Sequence, residues 1–356
     1  MVIASEPDPT FCSSRQIVPD ILHKVFVGAG CPPINDFVSL LTAALLLKPT
    51  SIYYHRTAPW AGTSCEAQLG QCFSGLGIRI NEINTSEPNS SFGHATRNFR
   101  LRPSFAEMGR IHGAWGVRAM YGVAHMSDFI RLHYLNEMGG YYFDSDAFVV
   151  NSSIRRFRSC PFVLSTLQVD YMPQSIVQPS VEQVLAGTKV SDTHLLNYSK
   201  RAEFNNGAML AVPGSEFGAA WWDHNRKSDG SMWSYDCCKW PPQWERNHPD
   251  QLQADPGMRS FPLHRFHPNM SWADHVELVA SKGVSSIHLQ HVQFRPYILV
   301  VANIVLERAV RLAGGRQALS PALLMCVDLA HELLRKTKGE HGDHLGWNNV
   351  QWQRGT

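Results

Sequence analysis

Two aspartates at the end of a short aromatic run are the residues of this sequence best suited to chemistry. Asp144 and Asp146 flank a single serine and follow the run Tyr141-Tyr142-Phe143. Carboxylate oxygens are hard ligands that suit Mg²⁺ or Mn²⁺, and these ions usually keep positions open for phosphate oxygens. We therefore predict that Asp146 and Asp144 bind a divalent metal ion, and that Asp144 also contacts the ligand beside it.

A helix followed by a strand must bring further side chains to these aspartates. Ser127 is a suitable N-cap, apolar residues recur after it at helical spacing, and Gly139-Gly140 provides a stop. In a helix–strand unit packed on a sheet, the first helical turn lies near the carboxyl end of the strand, where open α/β sheets bind ligands. We therefore expect Asp128 and Arg131, three residues apart on one helix face, to lie close to the aspartate pair.

The expected convergence of three carboxylates and one guanidinium predicts a ligand with both phosphate and hydroxyl groups. The Arg131 guanidinium is suited to phosphate charge, and the Asp128 carboxylate is suited to accept hydrogen bonds from hydroxyl groups. A divalent ion on the adjacent aspartates would face the diphosphate. A nucleotide sugar combines these chemical features.

The stretch from residue 127 to residue 150 resembles the DXD sugar-binding region of glycosyltransferases with the GT-A fold. Its pattern is close to that of family 32, which includes α-1,4-galactosyltransferases and mannosyltransferases. The shared pattern is Ser-Asp, an arginine three residues on, Gly-Gly, an aromatic or aliphatic strand, and Asp-x-Asp. Looser resemblance covers residues 20–295 and includes blocks at residues 21–28, 204–210, 233–250, 266–268 and 286–289.

This resemblance implies an α/β fold of the GT-A, Rossmann-like type, with a mixed and mostly parallel sheet flanked by helices. It implies a hexosyltransferase that moves a sugar from a nucleotide-diphosphate donor, a UDP-sugar above all, to a hydroxyl group. The acceptor would be a glycan, a glycolipid or a protein. The reaction would need Mn²⁺ or Mg²⁺, would proceed with retention, and would place the enzyme in the Golgi lumen.

The resemblance also assigns roles to individual side chains. Asp144 and Asp146 are the predicted catalytic pair. His288 follows a short apolar segment and is the predicted third metal ligand; an ordinary polar residue at a sheet edge is the alternative. The predicted donor-binding side chains are Asp128, Arg131, Asp144 and Tyr142.

Acceptor binding is predicted from aromatic and amide side chains in the second half of the chain. Tryptophan rings stack on the C–H faces of sugars, and several tryptophans lie between residues 221 and 244. Trp233 and Trp240 are the predicted stacking residues, with packing in the core or a loop as the alternative. Asn206 is predicted to contact the acceptor or the donor sugar, with a turn before a strand as the alternative.

The chain divides into one catalytic domain with extensions at both ends. We predict a flexible tail, a GT-A domain in two halves, a helical segment and a frayed tail, at residues 1–18, 19–150 with 151–295, 296–338 and 339–356. Residues 82–102 are polar and predict a loop or a disordered insertion. Predicted helices cover Phe37–Leu47, Tyr297–Leu312 and Pro321–Lys336, and predicted strands cover Ile21–Gly28, Ser51–His55 and Phe204–Leu210.

Composition limits the classes of partner. Among 356 residues, 32 Lys and Arg nearly balance 30 Asp and Glu, and no basic stripe appears, so we expect no nucleic-acid partner. No segment is long and apolar enough to span a bilayer. Residues 1–15 lack the hydrophobic stretch of a signal peptide. The chain as given is therefore expected to be soluble and cytoplasmic, or in the Golgi lumen if its N-terminus is incomplete.

Two features favour the lumen. The N-x-Ser/Thr triplets fit glycosylation, although chance also produces them; they begin at Asn84, Asn89, Asn151, Asn197 and Asn269. The chain has 8 cysteines, an even number, and Cys65 and Cys72 are close enough in sequence to form a disulfide if they lie on facing loops.

Three other classes of protein fit the acidic pair less well. A haloacid-dehalogenase-like phosphatase carries Asp-x-Asp on its first strand and needs Thr or Val where this sequence has Phe148. A catalytically inactive sugar-binding relative would keep the fold, but the intact acidic pair argues against it. A structural Ca²⁺ site would need more oxygen ligands than residues 144–146 provide. Metal-dependent hydrolysis of nucleotide sugars distinguishes these classes.

Overall fold

The computed structural model describes residues 12, 16–28, 31–59, 64–83, 115–167, 203–227, 238, 240–260, 271–281, 283–289 and 295–340. Its helices are α1 (Ile34–Leu47), α2 (Ser64–Gly75), α3 (Trp115–Met138), α4 (Glu216–Lys227), α5 (Trp240–Glu245), α6 (Trp272–Ser281), α7 (Arg295–Leu312) and α8 (Pro321–Glu340). Its strands are β1 (Ile21–Phe26), β2 (Ser51–Arg56), β3 (Arg79–Glu82), β4 (Gly140–Phe143), β5 (Ala147–Val149), β6 (Phe162–Leu167), β7 (Glu203–Ala211), β8 (Gln253–Ser260) and β9 (Ser286–His288).

These strands form one mixed sheet in the order β3-β2-β1-β4-β7-β6-β8-β9-β5. The pairs β1–β2, β1–β4, β2–β3, β6–β8 and β8–β9 are parallel, and the pairs β4–β7, β6–β7 and β5–β9 are antiparallel. Strand β4 leads into residues 144–146, called here the acidic turn, and β5 follows this turn and pairs with β9. The predicted fold class, a mixed and mostly parallel α/β sheet flanked by helices, is confirmed.

Strand alternation divides the core into two layers. In β4, Tyr141 and Phe143 pack into the layer that contains α1, α7 and α8, and Tyr142 packs into the layer that contains α3 and α4. Strand β1 alternates in the same way, with Leu22 on the α1 side and Val25 on the α3 side. Successive side chains of a strand point to opposite faces, so each residue near the acidic turn is presented to one helical layer.

The C-terminal helices are part of the same core. Apolar residues of α7 and α8, among them Val301, Val305 and Val327, are fully buried in the α1 layer. Both helices were predicted from the sequence, with starts at residues 297 and 321. No helix in the described ranges is both long and apolar enough to cross a membrane.

Several sequence predictions fall outside the described residues. The polar loop predicted at residues 82–102 is described only through Ile83, and most of the predicted 1–18 tail lies outside as well. Of the blocks that resemble the family, residues 266–268 and residues 233–237 and 239 of the block at 233–250 are also outside, as are residues 341–356. The division into a nucleotide-sugar half and an acceptor half stays a prediction.

The predicted helix start at Ser127 is wrong. Helix α3 begins at Trp115, so Ser127 lies in its interior, where its side chain accepts a hydrogen bond from Arg131 at 3.0 Å. Serine is favoured at N-caps but is also accommodated inside helices, and the twelve residues from Trp115 onward that precede it are already helical. The acidic turn is therefore approached by the middle of α3, not by a helix N-terminus.

The condition for a disulfide between Cys65 and Cys72, that they lie on facing loops, is not met. Cys72 bonds to Cys326 of α8, with 5.2 Å between their Cα atoms, and Cys12 bonds to Cys160. Cys65 and Cys72 lie on the same helix, α2, seven residues apart, which places their Cα atoms about 10 Å apart along the axis. A disulfide needs Cα atoms within about 7 Å.

Candidate active site

Two glycines turn the chain from α3 into β4. Gly139 and Gly140 have φ angles of 66° and 113°, which a residue with a side chain rarely adopts. A Cβ atom on Gly140 would also lie 2.4 Å from the carbonyl oxygen of Ile21 on β1. Glycine at this position therefore allows β4 to pair with β1 immediately after the helix ends.

The lengths of helix and strand explain which residues meet at the acidic turn. Asp128 precedes the end of α3 by ten residues, or about 15 Å of helix. Asp144 follows the start of β4 by four residues, or about 13 Å of strand. Because α3 and β4 run antiparallel, Asp128 and Asp144 lie at about the same distance from the Gly139-Gly140 junction and are therefore close to each other. The predicted convergence is thus found in the structure, although the predicted helix boundary was wrong.

The Arg131 guanidinium is the centre of the polar cluster on the α3 side. Its Nη1 lies 2.9 Å from Asp144 Oδ1 and donates to the carbonyl oxygen of Asn206 at 2.9 Å, and its Nη2 lies 3.2 Å from Asp128 Oδ1. The guanidinium also lies over the Tyr142 ring, 4.5 Å from its centre. Arg131 and Asp128 are buried, so their ion pair is shielded from water and held in one geometry.

Tyr142 and Asn206 complete this cluster by hydrogen bonds to the carboxylates. The Tyr142 hydroxyl donates to Asp144 Oδ1 at 2.6 Å, and Asn206 Nδ2 donates to Asp128 Oδ1 at 2.6 Å. Burial, followed by the charge of Asp144, raises the pKa of Tyr142 well above its ordinary value, even though Arg131 acts in the opposite direction. Tyr142 therefore stays a phenol that donates to the carboxylate.

Three side chains on the other side of the turn form a candidate metal centre. Asp144, Asp146 and His288 each offer one ligand atom, and these atoms all lie within 4.8 Å of one another. His288 Nε2 is 3.1 Å from Asp146 Oδ1 and 3.7 Å from Asp144 Oδ2. The pairing of β5 with β9, which sets Ala147 opposite His288, brings the imidazole to the turn.

The donor set of this centre fits a divalent ion. Two carboxylates suit Mg²⁺ and Mn²⁺, and an imidazole extends the set toward transition-metal ions. Asp146 and His288 are buried, and the Asp144 side chain is 21% exposed, so the centre is reached from its Asp144 side. Burial alone would lower the pKa of His288, but attraction to Asp146 and Asp144 outweighs it, and the pKa is raised. A metal ion is bound by the neutral form of an imidazole, so an ion at this centre would displace any proton from the ligating nitrogen of His288.

Gly207 of β7 leaves the room that His288 occupies. A Cβ atom on Gly207 would lie 2.3 Å from Cε1 and 2.4 Å from Nδ1 of the His288 ring. The Gly207 carbonyl oxygen accepts from the Asp144 amide at 2.7 Å, so β7 cannot shift away without disturbing the turn. The position therefore excludes any side chain as long as His288 keeps its place.

We expect Gly207→Ala to displace the His288 ring and weaken Mn²⁺ binding by roughly tenfold or more, the usual cost of disturbing a ligand's surroundings. Calorimetric titration of the folded variant with Mn²⁺ measures this loss. Gly70→Ala is the matched control, because a Cβ atom at Gly70 of α2 meets no atom within 4 Å. Wild-type Mn²⁺ affinity in folded Gly207→Ala would contradict the assignment of His288.

The predicted acceptor residues fall in different places. Asn206 lies in the polar cluster, where its amide contacts Asp128. Trp240 packs in an aromatic cluster on the α4 side, with its ring stacked 4.5 Å from His224 and 6.0 Å from Phe217. Trp233 lies outside the described residues. The packing alternative for Trp240 matches these contacts, and the acceptor roles of all three residues stay predictions.

Sequence reasoning missed the residues that hold the turn from the α1 side. Lys24, Asp36 and Ser39 are buried and hydrogen-bonded at or beside it. A signal was available, because a lysine inside an apolar strand and an aspartate inside an apolar helix predict a buried ion pair. Gly207, in contrast, gave no signal, since its importance depends on a ring that lies 81 positions later in the chain.

Comparison with known proteins agrees with the motif. The family model described as "Glycosyltransferase sugar-binding region containing DXD motif" matches residues 79–160, which include α3, β4 and the acidic turn. The resemblance predicted from the motif is therefore confirmed for this region, and the match supports a glycosyltransferase. Membership of family 32 stays a prediction.

A curated relative extends the similarity over more of the chain. Glucan organizing enzyme 1 of Cryptococcus neoformans var. grubii serotype A is 22% identical over 250 residues, which are 67% of this chain and 52% of the relative. The chain thus spans about half the length of that protein.

Solved glycosyltransferase structures show weaker likeness. The galactosyltransferase LgtC, solved with donor and acceptor sugar analogs, has 13% identity and a TM-score of 0.37, with 83% of this chain and 95% of LgtC covered. GlyE of Streptococcus pneumoniae TIGR4 has 10% identity and a TM-score of 0.39, with 90% and 64% covered.

Proposed function

We propose that this protein is a metal-dependent glycosyltransferase that moves a hexosyl group from a UDP-sugar to a hydroxyl group of a glycan, glycolipid or protein. One observation carries the proposal: the ligand atoms of Asp144, Asp146 and His288 lie within 4.8 Å of one another, beside the buried Arg131–Asp128 pair. The matched sugar-binding region includes four of these five residues. The preference for a uridine donor rests on analogy with the family.

Asp144, Asp146 and His288 would hold the metal, and the imidazole favours Mn²⁺ over Mg²⁺. When bound, the divalent ion supplies electrostatic stabilisation of the negative charge that develops on the departing diphosphate. Asp144 has a second function in this proposal. Its carboxylate contacts both the Arg131 guanidinium and the Tyr142 hydroxyl, so the turn is coupled to the donor-binding side chains of α3 and β4.

The cluster around Arg131 would orient the sugar of the donor. Asp128 and Asn206 already form a hydrogen-bonded pair at 2.6 Å, and both side chains have the polar atoms that bind sugar hydroxyls. Arg131 places positive charge next to Asp144, which favours the diphosphate in the adjacent position. Because the ion pair is buried, these groups need little rearrangement on binding, and orientation contributes directly to the rate.

We propose that transfer occurs by front-face substitution with retention. An oxygen of the acceptor hydroxyl forms a bond to the anomeric carbon as the bond from that carbon to the diphosphate oxygen breaks. The acceptor proton passes to the departing phosphate, and the nucleoside diphosphate leaves with the bonding electron pair. The residues of the chain hold the donor and acceptor on one face in this scheme and form no covalent bond to the sugar.

A panel of nucleotide sugars tests the proposed function. We expect release of nucleoside diphosphate from one of UDP-galactose, UDP-N-acetylglucosamine or GDP-mannose in the presence of Mn²⁺, and its loss on chelation. A catalytically inactive relative would bind a donor in calorimetry without releasing product. A phosphatase would release inorganic phosphate from simple phosphate esters, and that result would overturn the proposal.

The disulfides are relevant to the cellular compartment in which the protein folds. Cys12–Cys160 and Cys72–Cys326 each join segments that are far apart in the sequence, and such bonds persist in oxidising compartments. We propose that the protein folds and acts in the secretory pathway, with the Golgi lumen as its site. This location agrees with an acceptor that is a glycan, a glycolipid or a protein in the course of secretion.

A further inference from the structure

A buried ion pair lies on the α1 side of the acidic turn. Lys24 of β1 and Asp36 of α1 are both shielded from solvent, and Lys24 Nζ lies 3.1 Å from Asp36 Oδ1. The Tyr54 hydroxyl donates to Asp36 Oδ2 at 2.5 Å. Burying two charges is costly, and apolar residues often replace such a pair without loss of stability. The pair therefore needs an explanation beyond the cohesion of the core.

The remaining hydrogen bonds of this pair are directed to the main chain of the turn. Lys24 Nζ donates to the carbonyl oxygens of Phe143 at 2.8 Å and of Asp144 at 3.0 Å. It also donates to Ser39 Oγ at 2.9 Å, and the Ser39 hydroxyl donates to the Ala147 carbonyl oxygen at 2.5 Å. The ammonium group and one hydroxyl thus hold the carbonyl groups that enter and leave the turn.

A further amide holds the tip of the turn. Asn35 Nδ2 donates to the carbonyl oxygen of Ser145 at 2.9 Å. Asp144 is consequently held from both layers of the core, because Lys24 binds its carbonyl oxygen from the α1 side and Arg131 binds its carboxylate from the α3 side. Buried carbonyl groups need hydrogen-bond partners, and the partners of these carbonyl groups restrict the main chain of the turn to one conformation.

We infer that Lys24, Asp36 and Ser39 are positioning residues of the acidic turn. They hold its main chain so that the carboxylates of Asp144 and Asp146 face His288 before an ion binds. Gathering two carboxylates is unfavourable in the absence of a cation, so a loose turn would let them separate and would bind metal more weakly. The part of this inference that concerns metal binding rests on the proposed function.

Ser39→Ala tests the inference with the smallest change. It removes the hydroxyl and leaves the Lys24–Asp36 pair in place. Thr42→Val is the matched control, because the buried Thr42 hydroxyl, one turn further along α1, donates within the helix, to the Ser39 carbonyl oxygen at 3.0 Å. We expect Ser39→Ala to bind Mn²⁺ alone about tenfold more weakly in calorimetry, and Thr42→Val to match the wild type.

A second variant removes both charges together, so that no unpaired charge stays buried. Lys24→Met combined with Asp36→Asn keeps an acceptor for Tyr54 and deletes the ammonium donors to the turn. We expect a loss of Mn²⁺ affinity at least as large as that of Ser39→Ala. In both variants we also expect faster hydrogen exchange at the Ala147 amide, which donates to Asp144 within the turn at 3.1 Å.

The outcomes separate this inference from the proposed function. Wild-type Mn²⁺ affinity and wild-type exchange in both folded variants would overturn the inference. If instead the wild-type protein bound Mn²⁺ no better than Asp146→Asn, the proposed metal site would fail. Exchange would then decide the positioning role by itself: faster exchange at Ala147 in Ser39→Ala supports it, and unchanged exchange overturns it.

Discussion

Replacing Asp146 with asparagine is expected to reduce metal-dependent transfer by at least about 10²-fold, the scale seen when a stabiliser of transition-state charge is removed. Asparagine keeps the shape of the side chain and an oxygen for His288, but it loses the negative charge that attracts a divalent ion. The main-chain hydrogen bond that the Leu289 amide donates to the Asp146 carbonyl oxygen, at 2.9 Å, does not involve the side chain. We therefore expect the variant to fold.

Rates at saturating donor, with and without Mn²⁺, measure this effect. Asp250→Asn is the control, because Asp250 is exposed and its carboxylate contacts only its neighbour Gln251 among the hydrogen bonds of the described chain. Circular dichroism and thermal unfolding should show both variants folded. Transfer that persists in Asp146→Asn and still requires the metal would refute the assignment of this carboxylate.

Acidification from pH 7 to pH 5 is expected to lower the free energy of unfolding by about 4 kcal/mol through two buried histidines. His23 and His55 lie on adjacent strands, with His23 Nδ1 3.0 Å from His55 Nε2. His23 Nε2 donates to the Gly139 carbonyl oxygen at 2.9 Å, and Asn81 Nδ2 lies 3.2 Å from His55 Nδ1. When each imidazole carries one proton, all four ring nitrogens have a hydrogen-bond partner. A second proton on either imidazole would bring two N–H donors face to face, with no acceptor between them.

The direction of the effect follows from the pKa values. Burial lowers the pKa of His23 from 6.5 to about 4, and burial together with the charges of His23 and His133 lowers that of His55 to about 2. The unfolded chain therefore binds more protons than the folded chain below pH 6.5. Stability is fully present above that pH and is lost as the pH falls toward these lowered values.

Denaturant unfolding at several pH values measures this loss. Glutamine at both positions, in the double variant His23→Gln and His55→Gln, can donate and accept in the same sense as neutral histidine but does not titrate. We expect that variant to lose most of the pH dependence, while the control His331→Gln on α8 keeps it. Equal slopes in the double variant and the wild type would show that other groups cause the effect.

The pH effect is linked to the site through Gly139. This residue lies between α3, which carries Asp128 and Arg131, and β4, which leads directly to Asp144. The histidine chain therefore anchors the main chain at the junction of these two elements. Weakening the anchor is expected to loosen this junction before the whole sheet unfolds. The Gly139 carbonyl oxygen thus connects stability of the β1–β2 region with the geometry of the polar cluster.

The order of residues 127–146 was sufficient to predict the centre of the site, because its requirements are local. Gly139 and Gly140 must adopt positive φ angles, the aromatic run must form a buried strand, and Asp144 and Asp146 must follow it within a few residues. Glycine conformation and strand alternation depend on neighbouring residues alone. The boundary of α3 was mispredicted because the N-cap preference of a single serine is outweighed by the twelve preceding residues, which continue the helix.

Only the tertiary structure decided how this turn is held and completed. Lys24 meets the Asp144 carbonyl across 120 positions, and Cys72 meets Cys326 across 254. Gly207 matters because β5 pairs with β9 and brings the His288 ring against β7. These long-range contacts depend on the order of the strands in the sheet. Many weak interactions along the whole chain determine that order, so no short stretch of sequence specifies the contacts.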